Sequence, residues 1–148
     1  MPNERPTASE LARQLVTGML GDPITTEGVA ASAEQMCARL YGHLGRWVGL
    51  DGCDALVARA LDDVRGRWRW LEPVRSRPRS TPHLDHLEAS VRGLHPAEVL
   101  EAVVAVLKGF IELLGAAIGL ELAQQLVQDA WRDEASRPTD PSGRPHEW

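Results

Sequence analysis

The chain has 148 residues, a net charge of −5 and a 43% hydrophobic composition, which suits one domain large enough for a single core. A mildly acidic balance argues against coating nucleic acid as the main task. Only Lys108 among the sixteen basic residues is lysine, and the arginine bias reads first as bacterial-like genome composition.

The opening MPNERPTASE lacks the apolar run of a secretion signal, so the expected compartment is the cytoplasm. Thr7-Ala-Ser-Glu10 has the spacing of a capping box, and Leu11, Leu15 and Met19 then mark one face of a first helix. Gly21-Asp22-Pro23 stops it. Thr26 is placed to cap a second helix with Val29, Ala33, Met36, Cys37, Leu40, Leu44 and Trp47 along its stripe, ending at Gly49. Asp51 is placed to cap a third, whose stripe runs from Cys53 through Leu56, Ala60, Val64 and Trp68 to Leu71. Pro73 cannot extend it. Cys37 and Cys53 sit too far apart on an antiparallel hairpin to bond, so both read as buried, reduced thiols.

Residues 72–81 form the one evident internal linker, rich in arginine and proline. Thr81 and Pro82 suit the start of a fourth helix with a thin stripe of Leu84, Leu87, Val91 and Leu94. Gly93-Leu-His-Pro96 breaks the chain again. The fifth helix is apolar on most of its circumference, leaving Glu101, Lys108 and Glu112 as a narrow wet edge. Those charges interrupt every window of about 20 apolar residues, so it is not a membrane span. A break at Gly119 leads to a sixth helix, and a proline-containing tail over 136–148 is expected to be disordered.

Shifted by seventy residues, Val29–Asp63 falls on Val99–Asp133. Leu44-Gly45 meets Leu114-Gly115, Gly49-Leu50-Asp51 meets Gly119-Leu120-Glu121, and Leu56-Val57 meets Leu126-Val127. The expected fold is therefore all-α: a six-helix bundle in one domain over 1–135, with halves at 7–71 and 82–135 related by an approximate twofold. No segment alternates at period two, so no sheet is expected.

Candidate chemistry is sparse. Arg65, Arg67, Arg69, Arg75, Arg77 and Arg79 place six guanidinium groups in fifteen residues, with Trp68 and Trp70 between them. Guanidinium grips phosphate and indole stacks on bases, which makes this segment a candidate anion or nucleic-acid surface. Trp68 also fits the core stripe, whereas Trp70 lies off it. His83-Leu-Asp-His86 offers two ligands on one helix face, short of the four a structural zinc needs, and no metal or cofactor is expected. Catalytic motifs are lacking: there is no GxSxG, no phosphate loop and no nucleophile beside a base. The breadth of the fifth helix exceeds what a thin bundle buries, which points to a homodimer seam through Val104, Ile111, Gly115 and Ile118. The leading expectation is a non-enzymatic, cytoplasmic protein-interaction or regulatory module that self-associates. The alternatives are an anion or nucleic-acid binder through 65–79, and a bundle with a small-molecule or enzymatic pocket between its halves.

Overall fold

The computed structural model describes residues 6–136 and is mostly helical. Helix α1 spans Ala8–Thr17, and α2 spans Thr26–Arg39. α2 runs through a π-helical turn at Leu40–Leu44 into α3 at Gly45–Val48, and α4 spans Leu50–Val64. A 3-10 turn at Arg69–Leu71 leads to two short strands, β1 (Arg75–Ser76) and β2 (Leu84–Asp85), and to a single-turn α5 (Leu87–Ser90). Two long helices close the fold, α6 over Pro96–Ile118 and α7 over Leu120–Ser136. Apart from Ser136, the tail assigned above lies outside the described residues.

α6 is the centre of the molecule. It packs against α1, α2, α4 and α7, which together close nearly all of its apolar circumference. Phe110, Leu107, Ile111 and Leu114 are each no more than 1% exposed. α4 approaches closely where Gly109 faces Ala60, since a Cβ on that glycine would sit 3.5 Å from the Ala60 Cβ. None of the described helices is long and apolar enough to cross a membrane.

The helix ends follow local chemistry, with two corrections. The capping box at α1 is complete: the Thr7 hydroxyl accepts from the Glu10 amide at 3.0 Å, and the Glu10 carboxylate accepts from the Thr7 amide at 2.9 Å. At α2 the cap is Thr25, which accepts from the Gly28 amide at 2.9 Å. Thr26 instead donates to the Leu94 carbonyl at 2.7 Å, tying the start of α2 to the approach to α6. Asp51 does not cap α4; it pairs with Arg79 at 2.7 Å, and the N-cap position is Gly49.

Two larger expectations fail between residues 65 and 94. The third helix stops at Val64 rather than reaching Leu71, because the chain turns where Arg65 folds its guanidinium back onto the carbonyls of Leu71 and Val74. The fourth helix is replaced by a small antiparallel ribbon and one helical turn. Arg75 lies opposite Asp85 and Ser76 opposite Leu84. Glu34 of α2 holds the returning strand by accepting from the amides of His83 at 2.5 Å and Leu84 at 3.0 Å. Two backbone donors satisfied by one carboxylate outweigh the weak helical pattern of a four-leucine/valine stripe.

The glycine breaks share one backbone geometry. Gly49 has φ +82° and ψ 150°, and Gly119 has φ +98° and ψ 137°, a region that side chains with a Cβ avoid. Each break is followed by the same first helical bond, Cys53 to the Gly49 carbonyl and Ala123 to the Gly119 carbonyl, both at 2.9 Å. Ahead of each, a glycine lets the next helix fold back closely: Gly45 faces Leu50, and Gly115 faces Leu120.

Candidate binding groove

Five of the six arginines in this segment are exposed, and all but Arg69 also make a contact within the chain. Arg65 bonds to the Leu71 and Val74 carbonyls and pairs with Asp62, and burial beside Arg75 lowers its pKa from the ordinary value. Arg75 donates to the carbonyls of Glu72 at 2.6 Å and Val74 at 3.0 Å. Arg77 pairs with Asp85 at 3.4 Å, Arg79 pairs with Asp51, and Arg67 stacks over Trp68 at 4.3 Å. These side chains are spent on turning the chain and pinning the ribbon. Arg69 is exposed on the 3-10 turn.

Trp70 has a different explanation from base stacking. Its ring lines a small apolar cavity of about 20 Å³ between α2, α4, α6 and the ribbon, beside Met36, Cys37, Leu61 and Val103. Its indole N–H is buried with no acceptor among the described residues. The space admits roughly one water by volume, which is too little for an organic ligand.

A polar knot holds the ribbon down. Asp54 accepts from the Tyr41 hydroxyl and the Ser76 hydroxyl, each at 2.7 Å. Burial, then the Asp54 bond, push the Tyr41 hydroxyl well above its ordinary pKa. The His83 ring lies 5.2 Å from that of Tyr41, and its Nδ1 meets the Arg77 carbonyl at 2.9 Å. The His86 ring, on a backbone at φ +70°, lies 3.6 Å from the Asp85 carboxylate. Among the described residues no group of three or more His, Cys, Asp or Glu is arranged to hold a metal. Cys37 and Cys53 are free and buried, and burial raises both thiols, that of Cys53 to about 12. Thiols held protonated in this way are poor nucleophiles.

The residues assigned to a homodimer seam sit elsewhere. Val104 is 4% exposed and Ile111 fully buried, both inside this chain's own core. The covering expected from a second copy is supplied by α1, α2, α4 and α7. Gly115 serves the tight corner, where a Cβ would meet Leu120 at 3.1 Å, and Ile118 packs partly buried against the core.

What the sequence did not reveal is an open groove of about 690 Å³ beside α2. One wall is the face of α2 formed by Thr26, Glu27, Ala30, Ala31 and Glu34. The other comes from the segment Pro82–Arg92, with Leu84, Leu87 and Val91 as its buried base and Glu88, Ala89 and Arg92 at its rim. The volume falls in the range of ligand and peptide clefts, roughly 300–1,000 Å³. One lining residue, His86, holds a left-handed backbone conformation that non-glycine residues seldom adopt. The only trace in the sequence is the run of acidic and small residues at 27, 30, 31 and 34, which resembles an ordinary solvated helix face.

Comparison with known proteins adds no template: no family model, no curated protein and no solved structure matches the chain.

Proposed function

We propose that this protein is a non-enzymatic helical interaction module built from two structurally equivalent halves, and that its docking face is the groove along α2. The equivalence is supported by contacts that repeat at an offset of seventy. α2 and α6 start at Thr26 and Pro96, and their N-caps are Thr25 and His95. The breaks at Gly49 and Gly119 have matching geometry, as described above. Asp54 of α4 accepts from Ser76, while Gln124 of α7 donates to the Pro6 carbonyl at 2.8 Å. Ala60 of α4 meets Gly109 of α6, while Trp131 of α7 meets Arg39 of α2, whose guanidinium lies 5.4 Å from the ring centre. In each half, the segment ahead of the long helix crosses over to cover the other half's hairpin.

The observation that carries the functional reading is what covers corresponding faces. The groove residues Thr26, Glu27, Ala30, Ala31 and Glu34 correspond to Pro96, Ala97, Leu100, Glu101 and Val104. α1, a ten-residue amphipathic helix, packs along α6 and its Arg13 reaches Glu101 at 2.7 Å on that face, where Val104 is buried while Ala97 and Glu101 stay exposed. Over α2 the corresponding stretch of chain is a ribbon and a single turn, α5, which leave the face open. A face that takes a helix in one half is a ready helix-binding face in the other, and helix-in-groove docking is a common recognition mode.

A titration tests this. A synthetic peptide carrying residues 6–20 is added to isotope-labelled protein, and backbone amide shifts are followed. The expected perturbations fall on Thr26–Glu34 and Leu87–Arg92, and Ala31→Trp, which fills the groove from an exposed position, removes them without changing helix content. Perturbations confined to α6 and α7 would mean the peptide merely displaces α1, and would overturn the reading, as would the absence of any shift.

A further inference from the structure

Resting on that reading, we infer that the occupant of the groove is a basic amphipathic helix of a partner protein, about nine or ten residues long, oriented by Glu27 and Glu88. The length follows from the wall. Thr26 to Glu34 spans about 12 Å of helix axis at ~1.5 Å per residue, so a helix lying alongside engages two to three turns. That matches the ten residues α1 uses on α6.

The charge follows from the lining. Glu27, Glu34 and Glu88 contribute three carboxylates against the single guanidinium of Arg92. Glu34 spends its oxygens on the His83 and Leu84 amides, which leaves Glu27 and Glu88 to meet an occupant. Glu27 and Glu88 are exposed, one on each side of the opening, and neither has an ion-pair partner among the described residues. An acidic rim repels nucleic-acid phosphate and acidic peptides and attracts lysine or arginine. The internal precedent is the Arg13–Glu101 pair, in which the covering helix supplies the base and the covered helix the acid. The floor defines the inward face of the occupant. Leu84, Leu87 and Val91 form the groove's buried base and Ala30 and Ala31 leave shallow room beside them, so that face carries leucine, valine or alanine, as α1 does with Ala8, Leu11, Ala12 and Val16.

The experiment compares three peptides on the full chain: residues 6–20 as they stand, a basic form with Ser9→Arg, Gln14→Arg and Thr17→Arg, and an acidic form with glutamate at the same three positions. All three positions are exposed in α1, so the apolar face is the same throughout. Binding is read by amide shifts on Thr26–Glu34. The basic form is expected to bind about five- to tenfold more tightly than the acidic one at low salt, with the gap closing as salt rises to about 0.5 M. Glu27→Gln with Glu88→Gln should remove that preference, and Glu112→Gln on α6 should not. Equal binding of all three peptides overturns the basic partner and leaves the helix-docking reading standing. No binding by any of them overturns both. Concentration-dependent dimerisation that Ala31→Trp abolishes would assign the groove to a second copy and overturn the partner protein.

Discussion

The two long arms of the fold, residues 26–48 and α6, begin side by side, run through the same number of residues and end at equivalent glycines, yet they differ in fate. α6 is packed by four helices, whereas α2 carries an open groove on the face whose counterpart on α6 is contacted by Arg13 of α1. Side-chain composition accounts for the difference. On that face α6 carries Leu100 and Val104 where α2 has Ala30 and Glu34. A wide valine and leucine surface left in water is costly at about 25 cal/mol per Å², so α6 demands a cover such as α1. A face of alanine and glutamate makes no such demand. One backbone plan thus yields a structural helix and a face free to bind.

The largest effect expected from this contrast comes from placing one charge on each arm. Ile111 is fully buried in α6, so Ile111→Glu strands a carboxylate among Leu107, Phe110 and Leu114 and should cost about 5 kcal/mol or more, enough to unfold the chain. Ala31→Glu, exposed in the groove wall, should stay within about 0.5 kcal/mol of wild type. Thermal melts followed by circular dichroism decide this. Retained helix content in Ile111→Glu would place that residue at a surface and revive a self-association seam on α6.

Next in size is the turn that replaces the end of the third helix. Arg65→Met leaves the carbonyls of Leu71 and Val74 without their guanidinium donor in a half-buried setting, which should cost about 1–3 kcal/mol. Arg69→Met should be close to neutral. If both changes are neutral but abolish binding to an anionic polymer at low salt, the segment is a phosphate surface after all and its internal bonds are incidental.

The glycine corners give a smaller and more symmetric test. Gly49→Ala and Gly119→Ala meet open space, so only the positive φ is strained, and each should cost about 1–2 kcal/mol by the same amount. The preceding glycines should part company. A Cβ at Gly115 meets the Leu120 backbone at 3.1 Å, while one at Gly45 first meets the flexible end of Leu50 at 3.5 Å, so Gly115→Ala should be the more damaging. Urea midpoints of the four variants measure this. Unequal costs at Gly49 and Gly119 would weaken the equivalence of the halves.

The all-α class, the long central helix, the α1 capping box and both glycine breaks were legible from periodicity and punctuation, because each has a local cause. The span from Arg65 to Leu94 was not. Its conformation is set by Glu34, Asp54 and Asp51, which lie tens of residues away and look like ordinary helix-surface acids in the sequence. Of the arginines that read as an anion surface, Arg79 is held by one of these long-range bonds, while Arg65, Arg75 and Arg77 bond to partners within ten residues. The groove was illegible for a related reason: it exists only because the segment that could have formed a covering helix is held as a ribbon instead. The excess apolar surface on α6 was real, but the first ten ordered helical residues, far away in sequence, supply its cover.

The smallest effect concerns the ion pair that marks the covered face. The hydrogen bond from Arg13 holds the Glu101 carboxyl below its ordinary pKa. A carboxyl depressed in the folded state contributes stability above its unfolded pKa and loses it as the pH falls through the folded value. Both partners are about half exposed, so the contribution at pH 7 should be below about 1 kcal/mol. Urea unfolding of wild type and Glu101→Gln should show a modest wild-type advantage at pH 7 that fades between about pH 5 and pH 3. Glu27→Gln, at the open groove, should leave stability at pH 7 within about 0.5 kcal/mol of wild type, since no base is held against that exposed side chain among the described residues. If the two substitutions behave alike, Arg13 does not clamp α1 onto α6 in solution. The covered face would then lose its value as the template for what the open one binds.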